Sequence, residues 1–434
     1  MSISPGWQSP PADHFLFYYS LSISLVRCLP SIPFGTDVVL VIMYLTREEE
    51  KIAQGEHGET LQQLMEILVG VGTVFGATKM IPVKSVQVSG ASYKTIGKYG
   101  LEWLESLHAK AVVPAVLNPI GMDRIRYSSM TLSDEFITNQ QAVIAAYARL
   151  GIQLECTCTP YYLSAPAYGE HIAWSESSAV CYSNSVCGAR TNREGGPSAL
   201  AAALIGKTPY YGLHLVENRV PHITISVENV PSAKDVDSSW YGALGFLVGK
   251  MVGAQILYFT GIRPARDQLK ALGAAMAASG AVSLFHVHHI TPESEIFNWD
   301  PAMFETIHIT DEEIKQVYLD SYQDHVDAIA IGCPHCSPDE LLHIAEELDG
   351  KTVKKPLYIF ASAYVISACP DEVAVILKAG GRVYADTCMV VSPEMEQYEC
   401  IMVNSGKAHA YVPTMCSARS RIAPLHECLA EALM

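Results

Sequence analysis

Positive charge is scarce in this chain. Its 434 residues carry 29 Lys and Arg against 45 Asp and Glu, a formal net charge of -16 at pH 7. A general nucleic-acid binder needs the opposite sign to neutralise phosphates, so that class is excluded. A local basic pocket for one small anion remains compatible with an acidic chain. Cysteine is sparse too: 12 residues spread over the whole length, far below a disulfide scaffold. They read as thiols of a reducing, cytoplasmic compartment, most of them packing residues and a few of them metal ligands. No apolar run reaches the ~20 residues of a membrane span. The stretch Phe15 to Val26 is only about 12 long before Arg27 interrupts it. Met1 to His14 contains no Lys or Arg, so the basic region of a signal peptide is missing. No membrane and no nucleic-acid partner is expected.

Hydrophobic residues make up 49 % and charged residues 17 %, which excludes disorder as the main state. The length is roughly three times a ~150-residue domain, so two or three packed units are expected. Residues 1–42, with five prolines, read as an atypical extension. Residues 43–434 read as the folded region, opening at Met43-Tyr44-Leu45. Thr46 with Glu49 three residues on forms a capping box, and Leu61, Leu64, Met65 and Leu68 fall on one helical face. A subdivision is placed near 228–232.

After Gly100, apolar runs of strand length alternate with amphipathic stretches. Strands are expected at 256–259, 282–287, 326–331, 356–361 and 382–385, with helices at 264–279 and 370–379. Ser337-Pro338-Asp339-Glu340 supplies an N-cap, a proline at the first helical position and a glutamate at the third. This alternation is that of an α/β protein with mostly parallel sheets flanked by helices.

In open α/β sheets ligands collect at the carboxyl ends of strands. Three cysteines fall there. Cys158 follows the run 152–157, Cys333 follows 328–332, and Cys388 follows 383–387. Loop cysteines near helix N-termini are expected to have lowered pKa values, and thiolate is the form that binds iron. Brought together, the trio would hold three corners of an iron–sulfur cluster and leave one iron open. The bland alternative is that all three only pack. Cys336 completes a C-x-x-C with Cys333 and is the reserve ligand. Cys156, two residues before Cys158, should face the other way. Cys28, Cys181, Cys187, Cys369, Cys400, Cys416 and Cys428 read as structural.

Gly70–Gly76 mimics a dinucleotide fingerprint but follows a helix, so it reads as a helix stop. His286, His288 and His289 invite a metal reading, against which a satisfied surface or pocket histidine is preferred. Ser89–Thr95 has small residues, two hydroxyls beside Lys94 and backbone N–H groups that suit an anion, with a bland turn as the alternative. Asn118-Pro119 lies just past an apolar run. Arg190 and Arg193, in the glycine- and amide-rich segment 188–196, suit a carboxylate or phosphate; the alternative is a solvated loop.

The stretches YLTREEEKIAQGEHG, VSGASYKTIGKYG, LNPIGMD, CTCTPYY, YGEHIAWSESSAV, NSVCGARTNREGGPSA, GCPHCSPDEL and ADTCMVVSP together resemble the aconitase X family, large-subunit type. The resemblance implies an aconitase-like fold of two or three subdomains without the small swivelling domain. It implies an iron–sulfur hydro-lyase, with a 4Fe-4S cluster on Cys158, Cys333 and Cys388 and substrate contacts at Gly90, Ala91, Ser92, Asn118 and Pro119. Arg190 or Arg193 would pair with substrate charges. A separate small subunit would complete a heterodimer and bring the base, usually a serine, so no catalytic residue is assigned in this chain. Glu170 and Glu176 are given no role, and His171 is a candidate proton carrier. Two family activities are in play. One converts mevalonate 5-phosphate to trans-anhydromevalonate 5-phosphate in an archaeal-type mevalonate route to isoprenoids. The other dehydrates cis-3-hydroxy-L-proline. The QVSGASYKT loop, with Gln87 where the second kind often has His, favours the first. The rivals are a non-catalytic subunit that binds a small acid and a mononuclear or zinc-dependent lyase.

Overall fold

The computed structural model describes residues 43–232 and 236–434. The extension 1–42, with Cys28, lies outside the described residues. The first helix, Arg47–Ala53, starts on the expected capping box. Thr46 Oγ1 accepts from the Glu49 N–H, and Glu49 returns a bond to the Thr46 N–H at 2.7 Å. Next comes Glu59–Val74, which buries Leu64, Met65 and Leu68. This helix runs through Gly70 and Gly72 and ends only at Phe75-Gly76, so the expected stop comes later in the glycine run. Packing of the apolar face outweighs the roughly 1 kcal/mol per glycine cost of a helical interior.

Three parallel sheets follow one another along the chain. The first joins Ala115–Leu117, Val86–Val88 and Ala173–Trp174. The second orders Phe285–Val287, Leu257–Thr260, Ile223–Glu228 and Glu305–Thr310. The third orders Arg382–Ala385, Leu357–Ala361, Ala328–Ile331, Cys400–Val403 and Arg419–Ile422. One antiparallel pair, Met80–Pro82 with Lys207–Pro209, sits beside the first sheet's elements. The three central strands of the third sheet are apolar on both faces, as parallel strands covered by helices must be. The expected strand 382–385 is found unchanged. The run 152–157 is not a strand: it makes a single bridge, Leu117 to Cys156. The expected strand 282–287 shortens to Phe285–Val287.

Ser337 caps Pro338–Leu348 as expected, accepting from the Glu340 N–H at 3.1 Å. Such a cap contributes about 1 kcal/mol. One core lies around the first sheet. A second, large core spans the second sheet and one side of the third. A third lies on the other side of the last sheet.

Candidate active site

The three cysteine loops converge from different elements. Cys158 follows the extended segment beside Ala115–Leu117 and enters the 3-10 turn Pro160–Tyr162. Cys333 leaves Ala328–Ile331 through Gly332. That glycine has φ 106°, and an added Cβ would lie 2.1 Å from the Phe360 carbonyl oxygen, so no side chain fits and the turn requires glycine. Cys388 leaves Arg382–Ala385. Its N–H donates to the Ile120 carbonyl at 2.9 Å, and the Ile120 N–H donates to the Asp386 carbonyl at 3.0 Å. This short parallel bridge joins Asn118-Pro119-Ile120 to the Cys388 loop.

Cys158 and Cys333 are buried, and Cys388 is half-buried. The charge of Cys388 raises the pKa of Cys158, and the charges of Cys388 and Cys158 raise that of Cys333, so the three sulfurs share one neighbourhood. The expected low thiol pKa values are not found. Burial pushes Cys158 up to about 12 and pushes Cys333 and Cys388 up as well. Two of the loops enter 3-10 turns and not α-helices, so little helix dipole reaches them and desolvation dominates. What pulls the other way is Lys407, whose charge lowers all three. The N–H groups of Val390 and Val391 also act on Cys388, and the His335 N–H donates to Cys158 Sγ at 3.0 Å. Neutral, desolvated thiols facing a buried cation and N–H donors are suited to losing their protons to a metal centre. Among the described residues no three His, Cys, Asp or Glu side chains meet closely enough for a single metal ion.

Lys407 is the residue that sequence reasoning missed. It sits in Gly406–Met415, whose cap Ser405 donates its hydroxyl to the Cys333 carbonyl. Its ammonium is buried against Glu176 Oε1 and donates to Ser178 Oγ at 3.1 Å. Burial disfavours its charge. Glu176, Cys333 and Cys158 more than offset that, and the pKa ends well above the usual range. Burial likewise pushes Glu176 up, but Lys407, Ser178 and the Ala179 N–H pull it below the usual carboxylate value. Glu176, given no role above, thus holds the cation beside the thiols. No local motif could have signalled a pair 231 residues apart.

A cavity of about 530 Å³ reaches the Cys388 segment at Val391. Its lining includes Gly90, Ala91, Ser92, Asn118 and Pro119, five of the residues singled out from sequence, together with Val391. Ser89, Thr95, Tyr147, Gly196 and Pro197 complete much of its polar and turn-forming wall. The first two belong to the Ser89–Thr95 loop, and Gly196 to the glycine-rich segment. Ser92 Oγ donates to the Val391 carbonyl at 3.3 Å, tying this loop to the Cys388 segment. Tyr147 Oη donates to the Gly90 carbonyl at 3.2 Å. Asn118 Oδ1 is buried and has no partner. Among the described residues, no Asp, Glu, His, Lys or Arg lines the cavity.

Arg190 and Arg193 therefore stand apart from it. Arg193 is exposed. Arg190 pairs its backbone with His171, at the amino end of Ala173–Trp174, away from the carboxyl end that leads to Glu176. His171 Nδ1 lies 3.0 Å from His214 Nδ1. Burial, with Arg190 and Arg219 adding, lowers both imidazoles, His214 to about 3. That leaves His171 outside the cavity, as a neutral member of a separate cluster. His286 is buried in its strand with Nε2 2.9 Å from the Arg219 carbonyl, so it faces inward and not the surface. Cys336 points into the third core, and Cys156 into the first.

Three family models match consecutive parts of the chain: aconitase X first domain over residues 42–217, second domain over 221–319 and third domain over 326–434. The three parallel sheets fall one in each. A Methanosarcina mazei protein named phosphomevalonate dehydratase large subunit is 51 % identical over 393 residues, covering 90 % of this chain and 97 % of its own. A Methanocaldococcus jannaschii protein of the same name is 47 % identical, covering 89 % of this chain and 99 % of its own. A cis-3-hydroxy-L-proline dehydratase of Pseudomonas aeruginosa is 32 % identical, covering 89 % of this chain and 69 % of its own. The crystal structure of Thermococcus kodakaraensis aconitase X in its holo-form matches with a TM-score of 0.83 at 43 % identity, covering 90 % of this chain and 100 % of that one.

Proposed function

The chain belongs to the aconitase X family, and from that premise we propose that it is the large subunit of a hydro-lyase acting on mevalonate 5-phosphate. The product is trans-anhydromevalonate 5-phosphate, and a small subunit completes the enzyme. The observation that carries the reading is the convergence of the three cysteine loops near the Gly90–Ser92 and Asn118-Pro119 cavity, to which the Cys388 segment is tied by Val391 in its wall and by the Ile120–Thr387 bridge. Higher identity to the phosphomevalonate dehydratase subunits than to the hydroxyproline enzymes supports the substrate.

Cys158, Cys333 and Cys388 would hold an iron–sulfur cluster, most simply 4Fe-4S with one iron free of protein ligand. A polynuclear group spans sulfurs that one ion cannot reach together. When bound, it supplies a Lewis-acidic iron for the C3 hydroxyl of the substrate. The chain's own residues do the rest. Lys407 places a fixed positive charge beside the three sulfurs. The Gly90–Ser92 turn precedes Tyr93–Ser106, a helix broken at Gly97 (φ 60°), and Gln140 Oε1 accepts from the Tyr93 N–H at 3.0 Å, so the turn is fixed as a close-packed wall of the cavity. The Asn118 amide, unpartnered through Oδ1, is free to bind a substrate hydroxyl. The base that removes the C2 proton is assigned to the small subunit, as the family resemblance implies; among the described residues the cavity wall offers no carboxylate or imidazole that would compete with it. Arg190 and Arg193 lie outside the wall of this cavity.

The test is anaerobic co-purification with the small subunit and side-by-side assay of mevalonate 5-phosphate and cis-3-hydroxy-L-proline. Dehydration of the first alone is expected, with the large subunit inactive by itself. Dehydration of the second at a comparable rate would overturn the substrate assignment.

A further inference from the structure

His335 stands two residues past Cys333 and is buried. It touches the segment of each cysteine. Its N–H donates to Cys158 Sγ at 3.0 Å. Its Nε2 lies 2.9 Å from the Thr387 carbonyl, the residue before Cys388. Its Nδ1 lies 3.2 Å from the Thr157 hydroxyl, the residue before Cys158. A carbonyl only accepts, so Nε2 carries the proton and Nδ1 accepts from Thr157. The ring is thus a neutral fork between two loops, carried on the third.

The His335 backbone is fixed in turn. Its carbonyl accepts from Lys270 Nζ at 3.3 Å. Lys270 is buried and pairs with Glu340 at 2.5 Å and Asp267 at 3.4 Å. Asp267 also accepts from Ser337 Oγ at 2.5 Å and from Tyr162 Oη at 2.9 Å. Tyr162 follows Cys158, and Ser337 follows Cys333. A buried ion cluster is a weak source of net stability compared with apolar packing, and its best attested use is to fix one arrangement among several. Here it ties the carriers of two cysteines to Arg266–Ser279, a helix that carries none.

We propose that His335, anchored through its carbonyl by Lys270, is the positioning residue that holds the three cysteine loops in register for the metal group. The inference rests on the ligand assignment made above. It adds a residue that touches neither substrate nor reacting atoms but orients the ligands, as outer-shell partners of metal sites do.

The experiment uses the reconstituted two-subunit holoenzyme and reads two properties besides activity: the rate of iron release to an excess chelator and the visible and electron paramagnetic resonance spectra. His335→Gln keeps an amide donor toward the Thr387 carbonyl, whereas His335→Leu keeps neither ring bond. The Leu variant is expected to release iron at least about 10-fold faster, with altered spectra, and the Gln variant to stay within about 3-fold of wild type on the same scale. Equal behaviour of His335→Leu and wild type, or equal loss in both variants, overturns the proposal. Should His335→Leu not fold, Thr157→Val takes its place. It removes only the Nδ1 partner and is expected to raise the release rate about 3-fold; an unchanged rate overturns the proposal. A wild-type enzyme without iron and sulfide would instead refute the ligand assignment, so the two failures are distinguishable.

Discussion

Replacing Lys407 with Met probes the electrostatics beside the three thiols. The ammonium is removed from a pair in which both side chains are buried, and the Glu176 carboxylate keeps its desolvation without its cation. Removing one partner of such a pair costs about 3–5 kcal/mol. With an unfolding entropy of about 2.1 cal/mol/K per residue over roughly 390 described residues, that is a fall in Tm of about 4–6 °C if the chain melts as one unit. The pH dependence carries the sign. In the wild type the folded pKa of Glu176 lies below its usual value of 4.5. The unfolded chain then binds more protons between the two values. The contribution is complete above about 4.5 and is lost as pH falls through the folded pKa. In Lys407→Met the burial that pushes Glu176 up is left without its main counterweight, and the folded pKa rises above 4.5. The folded state then binds more protons, so the variant's deficit grows as pH rises from about 4.5 toward neutrality. Thermal or denaturant melts of both proteins between pH 3.5 and 8 measure this. The double variant Lys407→Met with Glu176→Gln should recover at least half of the loss at neutral pH, because no uncompensated charge remains. A loss below about 1 kcal/mol, or a double variant no more stable than the single one, would refute the reasoning.

Other outcomes follow from the same geometry. Gly332→Ala places a Cβ 2.1 Å from the Phe360 carbonyl at φ 106°; it should destabilise by at least about 2 kcal/mol and lower iron content, both measurable on the purified subunit. Gly196→Ala puts a Cβ 2.8 Å from the Ser89 carbonyl at the cavity wall, so KM should rise about 10-fold with kcat changed less, read from steady-state kinetics of the two-subunit enzyme. Asn118→Ala should also raise KM. Arg190→Gln, whose side chain lies off the cavity wall, should leave KM within about 2-fold; a large rise would return Arg190 to the substrate site.

Local signals were legible in the sequence. The Ser337 cap, the Thr46 capping box and the strand Arg382–Ala385 depend on residues within four positions of one another, and all stand where the pattern put them. The strand ends before Cys333 and Cys388 were legible too, whereas Cys158 was picked out after a run that is extended but forms no strand. Short elements were not. Ala173–Trp174 has only two paired residues, and the bridge at Cys156 only one, below the length at which alternation can be read. The glycine run at 70–76 misled because tertiary packing carries the helix through it. The thiol pKa values misled for a related reason. A helix dipole is a local quantity, whereas burial is set by the whole chain, and burial wins. Lys407 with Glu176 and His335 with Thr387 are contacts between distant segments. Nothing in the spacing of either pair announces it, although GCPH is conspicuous as a string.

The most direct measurement is iron and acid-labile sulfide per two-subunit enzyme, purified without oxygen, for Cys158→Ser, Cys333→Ser, Cys388→Ser and Cys336→Ser. The account predicts a cluster in the wild type and in the Cys336 variant, and its loss or marked depletion in each of the other three. A full complement of iron and sulfide in any of those three, or its loss in the Cys336 variant alone, would contradict it.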